Sequence, residues 1–323
     1  MKNLLLGIDI GGTKCAVIYG YNDAEGIKIV DKQEFQTTNV NDTINSLLET
    51  TSATMQKHGL SSGNISAIGI SCGGPLDSKK GIIMSPPNLP GWDNIPIVNL
   101  FEKRFGIKTA VQNDANACAL AEWKRGAARG YNNVVFLTFG TGMGAGLILD
   151  GKLYAGTNDN AGEIGHVRLE KTGPVGYGKA GSFEGFCSGS GIAQLARIKV
   201  MEKLQMGESV SFCKNRDALQ SITAKVVADA AREGDPLARE IYEESAYYLG
   251  KALSILIDVL NPEIIVIGSI YCRAQKLMEP VMNETIDYES IIQSRSVCKI
   301  VPAELGENIG DYAALSVALN AIV

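Results

Sequence analysis

Leu4-Leu5-Leu6-Gly7-Ile8-Asp9-Ile10-Gly11-Gly12-Thr13-Lys14-Cys15-Ala16-Val17-Ile18-Tyr19 places two glycines between two apolar runs. Both runs are rich in aliphatic and β-branched residues, so the stretch reads as a β-hairpin with the glycines at its tip. Glycine there allows positive φ and lets backbone N–H groups approach a ligand with no Cβ in the way. Asp9 leads into the turn, Thr13 adds a hydroxyl and Lys14 a point charge. Those are the parts needed to hold magnesium and polyphosphate oxygens. An ordinary Gly-Gly hairpin with polar neighbours fits this stretch equally well. A Walker loop or dinucleotide fingerprint does not, because Gly-x-x-x-x-Gly-Lys-Ser/Thr is absent and a strand follows the glycines.

A partial echo comes later. Val134-Val135-Phe136-Leu137-Thr138-Phe139-Gly140-Thr141-Gly142-Met143-Gly144-Ala145-Gly146-Leu147-Ile148-Leu149 again sets a glycine-rich turn between apolar runs, with Thr138 in the place of Asp9. Two such hairpins about 130 residues apart point to a duplicated architecture whose halves each present a phosphate loop.

At 323 residues the chain has length for about two domains, each with its own core. Hydrophobic content of 45% and charged content of 20% fit an ordinary soluble globular protein. A net charge of −5 with no lysine or arginine cluster argues against a nucleic-acid binder, which needs a basic surface for phosphate contacts. The seven cysteines, at 15, 72, 118, 187, 213, 272 and 298, are never spaced as Cys-x-x-Cys, as expected of reduced thiols in a cytosolic protein. Met1-Lys2-Asn3-Leu4-Leu5-Leu6 meets Asp9 too soon for a signal peptide, and no run approaches the roughly 20 apolar residues of a membrane span. A cytoplasmic protein without membrane attachment is expected.

Between the hairpins, Ile27 to Phe35 reads as a strand and Val40 to Lys57 as an amphipathic helix ended by Gly59. Ile65 to Ser71 reads as a buried strand, broken by Cys72-Gly73-Gly74-Pro75. The proline-stiffened loop from Ser85 to Pro96, with Trp92 and Asn94, reads as a rigid wall of a polar-ligand site or as a surface loop pinned by a buried tryptophan. A strand from Lys108 to Gln112 stops at Asn113-Asp114-Ala115-Asn116-Ala117, where a small-residue helix begins. Asp114 thus stands where a strand hands over to a helix N-terminus, which suits a catalytic carboxylate and a helix cap equally. Ala161-Gly162-Glu163-Ile164-Gly165-His166 sets an acid and one of two histidines three residues apart, although a lone histidine also reads as a structural residue. Residues 173–184 are glycine-dense and read as a folded-back loop, and Ser188-Gly189-Ser190-Gly191 opens a helix. A long helix from Pro236 to Asp258 stops at Asn261-Pro262 before the strand Ile264-Ile265-Val266-Ile267, and Gly268-Ser269 then forms a turn of the nucleotide-facing kind. An alanine-rich helix follows Gly310.

Taken in this order from Gly7 nearly to the end, these motifs resemble the ROK family of sugar kinases and sugar-responsive repressors. The resemblance implies an α/β fold with two ribonuclease H-like domains of actin and hexokinase type and an interdomain cleft. The smaller domain would span 1–112 with about 305–323 returning to it, and the larger 113–304. It implies phosphate contacts from Asp9, Gly11, Gly12, Thr13 and Lys14 and from Thr138, Gly140, Thr141 and Gly142. Gly268 and Gly310 fall at adenosine-side turns, with Ser269 replacing a glycine usual in the family. Sugar contacts are expected from Gly74, Asn94, Asn113, Asp114, Glu163, His166 and Glu184, and Asp114 matches the catalytic base. The implied reaction is ATP-dependent phosphorylation of a hexose, first of all at O6 of glucose. Fructose, mannose, allose, N-acetylmannosamine or a β-glucoside are the alternatives. Mg2+ would lie near Asp9, held indirectly, and the helix N-terminus would keep Asp114 ionised as a weak base. A homodimer is expected.

The rival is a non-catalytic sugar-sensing regulator. Such proteins carry an added N-terminal DNA-binding region, for which a hairpin beginning at Leu4 leaves no room. An actin-like or chaperone-like ATPase fits poorly with Asn113-Asp114 and Glu163-Ile164-Gly165-His166, which look like polyol recognition. One departure from the family stands out. Its members commonly hold zinc with the histidine at His166 and three cysteines, which here would fall at Val175, Tyr177 and Ser182. No thiolate is available and one histidine cannot make a tetrahedral site, so no structural zinc is predicted. Apolar packing by Val175, Tyr177, Phe183 and Phe186 is expected to hold the loop instead, and His166 and Glu184 need an anchor other than a metal.

Overall fold

The structure is a computed structural model that describes residues 2–322; Met1 and Val323, the outer ends of the predicted smaller domain, lie outside the described residues. The first half supplies β1 (Asn3–Ile10), β2 (Lys14–Asp23), β3 (Gly26–Gln36), α1 (Val40–Lys57), β4 (Ile65–Cys72), β5 (Leu76–Asp77), β6 (Ile82–Ile83), α2 (Ile97–Phe105), β7 (Thr109–Asn113) and α3 (Asp114–Arg125). Next come β8 (Val134–Phe139), β9 (Met143–Leu149), β10 (Lys152–Leu153), β11 (Val175–Gly176), β12 (Lys179–Ala180), α4 (Phe183–Cys187), α5 (Gly189–Gln205) and α6 (Ala224–Glu233). The chain closes with α7 (Pro236–Leu260), β13 (Ile264–Ile267), α8 (Ile270–Glu289), α9 (Ile292–Arg295), β14 (Lys299–Pro302) and α10 (Ile309–Asn320).

The first sheet runs β3-β2-β1-β4-β7. Its β1–β2 and β2–β3 pairs are antiparallel, and β1–β4 and β4–β7 parallel. Alternation along the strands feeds two cores. Leu6, Ile8 and Ile10 pack with Leu47 of α1 and Phe101 of α2, while Leu5, Ala16 and Ile18 pack with Ala314, Leu315 and Ala318 of α10. Glycine is required on that second face: a methyl group at Gly69 would collide with the Ala314 carbonyl and Ala318, and one at Gly7 would lie 2.9 Å from the Ala314 Cβ. The second sheet runs β10-β9-β8-β13-β14, with β9–β10 antiparallel and β13–β14 parallel. Counted within its own sheet, each order is third, second, first, fourth, fifth, the repeat that the paired hairpins suggested.

The chain divides into two compact units, one made of residues up to Phe136, Gly146–Ala161 and Glu304 onward, the other of Leu137–Ala145 and Gly162–Ala303. The predicted boundary after 112 differs from this division, which keeps α3 with the first unit. A buried acid explains it. Glu122 of α3 is 0% exposed and accepts the backbone N–H groups of Ala127, Glu304 and Leu305 at 2.7, 3.3 and 3.0 Å, tying α3 to the returning tail. Among the described residues no helix is long and apolar enough to cross a membrane.

Candidate active site

In the first unit, Gly11 N donates to the Lys14 carbonyl at 3.1 Å and closes the β1–β2 tip. A methyl group at Gly12 would collide with the Asn88 carbonyl, and one at Gly73 would meet the Asn88 side chain at 3.1 Å. Asn88, which sequence reasoning passed over, is thus the part of the proline loop against which the tip rests. Lys14 Nζ lies 3.0 Å from Glu34 on β3 in an exposed pair, a weak tie that a phosphate could displace.

Asp9 sits beside the start of α10: a methyl group at Gly310 would lie 3.3 Å from its Oδ2. Burial above all, then Asp311 and Asp114, outweigh the pull of Lys32 and Lys14 and push its carboxyl up to about 6. Asp311 is itself bound by Lys32 at 2.9 Å. A crowded carboxylate with acidic neighbours is a place where a cation relieves repulsion. Among the described residues no three His, Cys, Asp or Glu side chains converge on one metal position. A direct protein cage for a cation is thus not among the arrangements the described residues form.

The helix cap at α3 is Asn113, whose Oδ1 accepts Asn116 N at 2.7 Å; the cap reading of Asp114 falls with it. Asp114 Oδ1 accepts the neighbouring Ala115 N at 2.8 Å. Loss of hydration raises the Asp114 carboxyl above its ordinary range, outweighing the backbone N–H groups of Ala115 and Asp114 that pull it down, the opposite direction to the lowering expected of a helix end. The residue as a whole is exposed, so water and a substrate hydroxyl can reach it. Asn113 spends its oxygen on the cap and keeps its amide N–H2 as a donor. A methyl group at Gly74 would lie 4.0 Å from the Asn113 Cβ, which puts these two predicted sugar residues side by side. Asn94 is exposed at φ 55° two residues after Trp92, which is 1% exposed and pins the loop as one of its two readings expected.

In the second unit the β8–β9 tip is fastened on every side. Thr138 Oγ1 accepts Gly144 N at 2.9 Å and faces the Gly144 carbonyl at 3.3 Å, so the hydroxyl expected on phosphate is spent on the turn. Gly189 N at the start of α5 donates to the Gly140 carbonyl at 2.8 Å, and Ser190 Oγ to the Thr141 carbonyl at 2.7 Å. Ser188 caps α5 by accepting Gly191 N at 2.9 Å. The run Ser188-Gly189-Ser190-Gly191 announced a helix start, but nothing local placed it under the tip. Glu184 Oε2 accepts Met143 N at 3.0 Å, and a methyl group at Gly142 would lie 2.8 Å from that same oxygen. A predicted sugar residue thereby buttresses a predicted phosphate turn.

Gly268 N donates to the Leu137 carbonyl at 2.9 Å. A methyl group at Gly140 would lie 3.9 Å from Ser269 Oγ, so the two expected nucleotide turns are neighbours. Ser269 adopts φ 53° and ψ −109°, a conformation suited to the glycine it replaces. Glu163 and His166 ride on a single 3-10 turn. Methyl groups at Gly162 and Gly165 would collide with the Ala145 and Met143 carbonyls, so both glycines are needed for that turn to lie against β9.

The loop of the absent cysteines is held by two of the four side chains expected. Phe183 and Phe186 are buried, and Phe186 stacks on Tyr248 with centroids 3.6 Å apart. Val175 and Tyr177 do not pack: they are 47% and 77% exposed, and Tyr177 offers only an edge to the His166 ring at 6.0 Å. The strand of Val175 is held through its backbone, since Val175 N donates to Gln194 Oε1 at 2.7 Å and Gln194 Nε2 to the Val175 carbonyl at 3.3 Å. Ser182, at a position expected of a zinc cysteine in the family, caps α4 by accepting Gly185 N at 3.1 Å and so fixes the turn that carries Glu184. Val175, Tyr177 and Ser182 supply no thiolate, and this donor set does not fit a structural zinc.

The sequence profile of the ROK family matches residues 5–321. The glucokinase of Thermotoga maritima is 32% identical over 98% of this chain and 97% of its own. A ROK family glucokinase from Streptomyces griseus, solved with glucose and AMPPNP, superposes with a TM-score of 0.73 at 28% identity, covering 98% of this chain and 99% of that one. The Escherichia coli DNA-binding transcriptional dual regulator NagC is 31% identical over 80% of this chain and 62% of its own.

Proposed function

The chain belongs to the ROK family, and from that premise we propose that it is an ATP-dependent hexose kinase, acting first of all on O6 of glucose. The observation that carries the proposal is that Asn113, not Asp114, caps α3, which leaves the Asp114 carboxyl, raised by lost hydration, available to act as a base. The repeated strand order supports reading the chain as two ribonuclease H-type domains of the actin and hexokinase kind.

Gly11, Gly12, Thr13 and Lys14 and the tip Gly140-Thr141-Gly142 take the phosphates, with Gly268 and Gly310 on the adenosine side. The amide of Asn113, with Gly74, Asn94, Glu163, His166 and Glu184, takes the sugar hydroxyls. Magnesium, when bound near Asp9 through its water shell, supplies charge neutralisation to the phosphates. Asp114 accepts the hydroxyl proton as the sugar oxygen bonds to the γ-phosphorus and the bond to ADP breaks. Seven free cysteines support a reducing, cytoplasmic setting. We place the protein there as a homodimer, without zinc.

The likeness to NagC favours one second reading, a sensor that binds sugar without turnover. A coupled ADP-release assay over a hexose panel separates the two. Sugar-dependent ADP release is the expected result; calorimetric hexose binding with no ADP from any member of the panel would overturn the kinase reading.

A further inference from the structure

The β5–β6 hairpin and the loop 157–160 of the first unit are joined by a buried carboxylate with no part in the chemistry above. Asp159 is 7% exposed, and its two oxygens accept Ser78 N and Ser78 Oγ, each at 2.7 Å. Its backbone lies at φ 62°, in the left-handed region where glycine is at ease and a residue with a Cβ is disfavoured. A local conformational cost is thus carried by a side chain wholly engaged in hydrogen bonds. The two segments face each other across a cavity of about 410 Å3, lined by Pro75, Leu76 and Met84 on one side and Asn158 and Asn160 on the other. The bonds to Ser78, with Lys79 Nζ to the Thr157 carbonyl at 3.4 Å, span that gap.

From Ser78 the constraint runs along a hydrogen-bonded strip. β5 pairs with β6 as Leu76 with Ile83 and Asp77 with Ile82. Met84 N donates to the Pro75 carbonyl at 2.8 Å, Ile83 exchanges both backbone bonds with Ile95 at 2.9 Å, and Ser85 N donates to the Trp92 carbonyl at 2.9 Å. Gly74 precedes one end of this strip and Asn94 precedes Ile95 at the other. Its tip is Ser78.

We infer that Asp159 is a positioning residue: by clamping Ser78 it fixes the strip that presents Gly74 and Asn94 to the hexose, and so sets hexose affinity. This rests on the hexose-kinase reading. Asp159→Gly suits the backbone conformation while removing the clamp, so it separates loss of the carboxylate from loss of the fold. Hexose KM is expected to rise roughly 5- to 20-fold, with kcat within about two-fold and nucleotide KM unchanged. Amide hydrogen exchange over residues 76–95 should quicken at least about ten-fold, with the β8 and β9 amides unchanged. Ser78→Gly should give the same pattern, and the double variant should be no worse than either single one. Asp159→Asn should recover part of the affinity through its remaining acceptor oxygen.

A hexose KM within about two-fold of wild type in Asp159→Gly overturns the inference, as does a fall in kcat matched by a rise in both KM values. Unchanged exchange over 76–95 overturns the clamp whatever the activity. If the wild type binds hexose but releases no ADP, the kinase reading alone falls. Calorimetric hexose affinity of Asp159→Gly, read with the exchange, then decides the clamp.

Discussion

At the β1–β2 tip the polar side chain, Asp9, carries a carboxyl pushed up to about 6 beside Asp311 and Asp114, whereas at the β8–β9 tip Thr138 closes on Gly144 at 2.9 Å and Glu184 braces Met143. The two stretches share a pattern in sequence and differ in where their polar groups are spent. On the proposed function, one tip holds charge in reserve for a ligand at a cost to the folded state, whereas the other uses its side chains to keep its own backbone turn in place. Raising Asp9 from 3.8 to about 6 corresponds to about 3 kcal/mol of lost stability at neutral pH. Thr138 adds stability, about 1 kcal/mol for a satisfied hydrogen bond.

The acidic side should show the largest effect. Asp114→Asn is expected to lower turnover by at least about 10²-fold while leaving hexose affinity in place. Steady-state kinetics check it, and near-normal turnover would leave the first unit without a catalyst. Next, Asp9→Asn should raise the nucleotide KM at least about ten-fold and yet raise stability at pH 7 by roughly 1–3 kcal/mol in urea unfolding. Gain of stability with loss of binding is the signature of reserved charge; loss of both would make Asp9 an ordinary structural acid. The pH dependence follows from the same group. Below the unfolded value of 3.8 both states hold the proton, so the stability is fully present there. It is lost as pH rises towards the folded value of about 6, while nucleotide KM should improve over the same window. Thr138→Val should act in the opposite sense, costing roughly 1–2 kcal/mol with nucleotide KM moved less than about three-fold. The smallest effect belongs to Ser269→Gly, which should gain roughly 0.5–1 kcal/mol by thermal unfolding, since the backbone there already has a glycine conformation.

What could be read in advance was local. Gly59 ends α1, and Pro236 and Asn261 bound α7, because caps and breakers act over a few residues. The two glycine tips and the step from β7 into α3 were legible for the same reason. Asn88, Ser190, Gln194 and the Ser78 to Asp159 clamp were not, since each joins irregular segments far apart in sequence and leaves no periodic trace. The tie of α3 to the tail was not legible either, since it hangs on one buried carboxylate, Glu122, two of whose three backbone donors, Glu304 and Leu305, reach it only once the tail has folded back. The state of Asp114 likewise depends on how much protein crowds it, and a sequence carries no measure of that.

A last consequence follows from how the turn bearing Glu184 is fastened. A serine hydroxyl, a glutamine amide and a pair of stacked rings hold it, so chelators find nothing there to strip and peroxide finds no ligating thiol. Such a turn should keep its shape in a cell starved of transition metals or flooded with oxidant, where a cysteine-built counterpart would come loose.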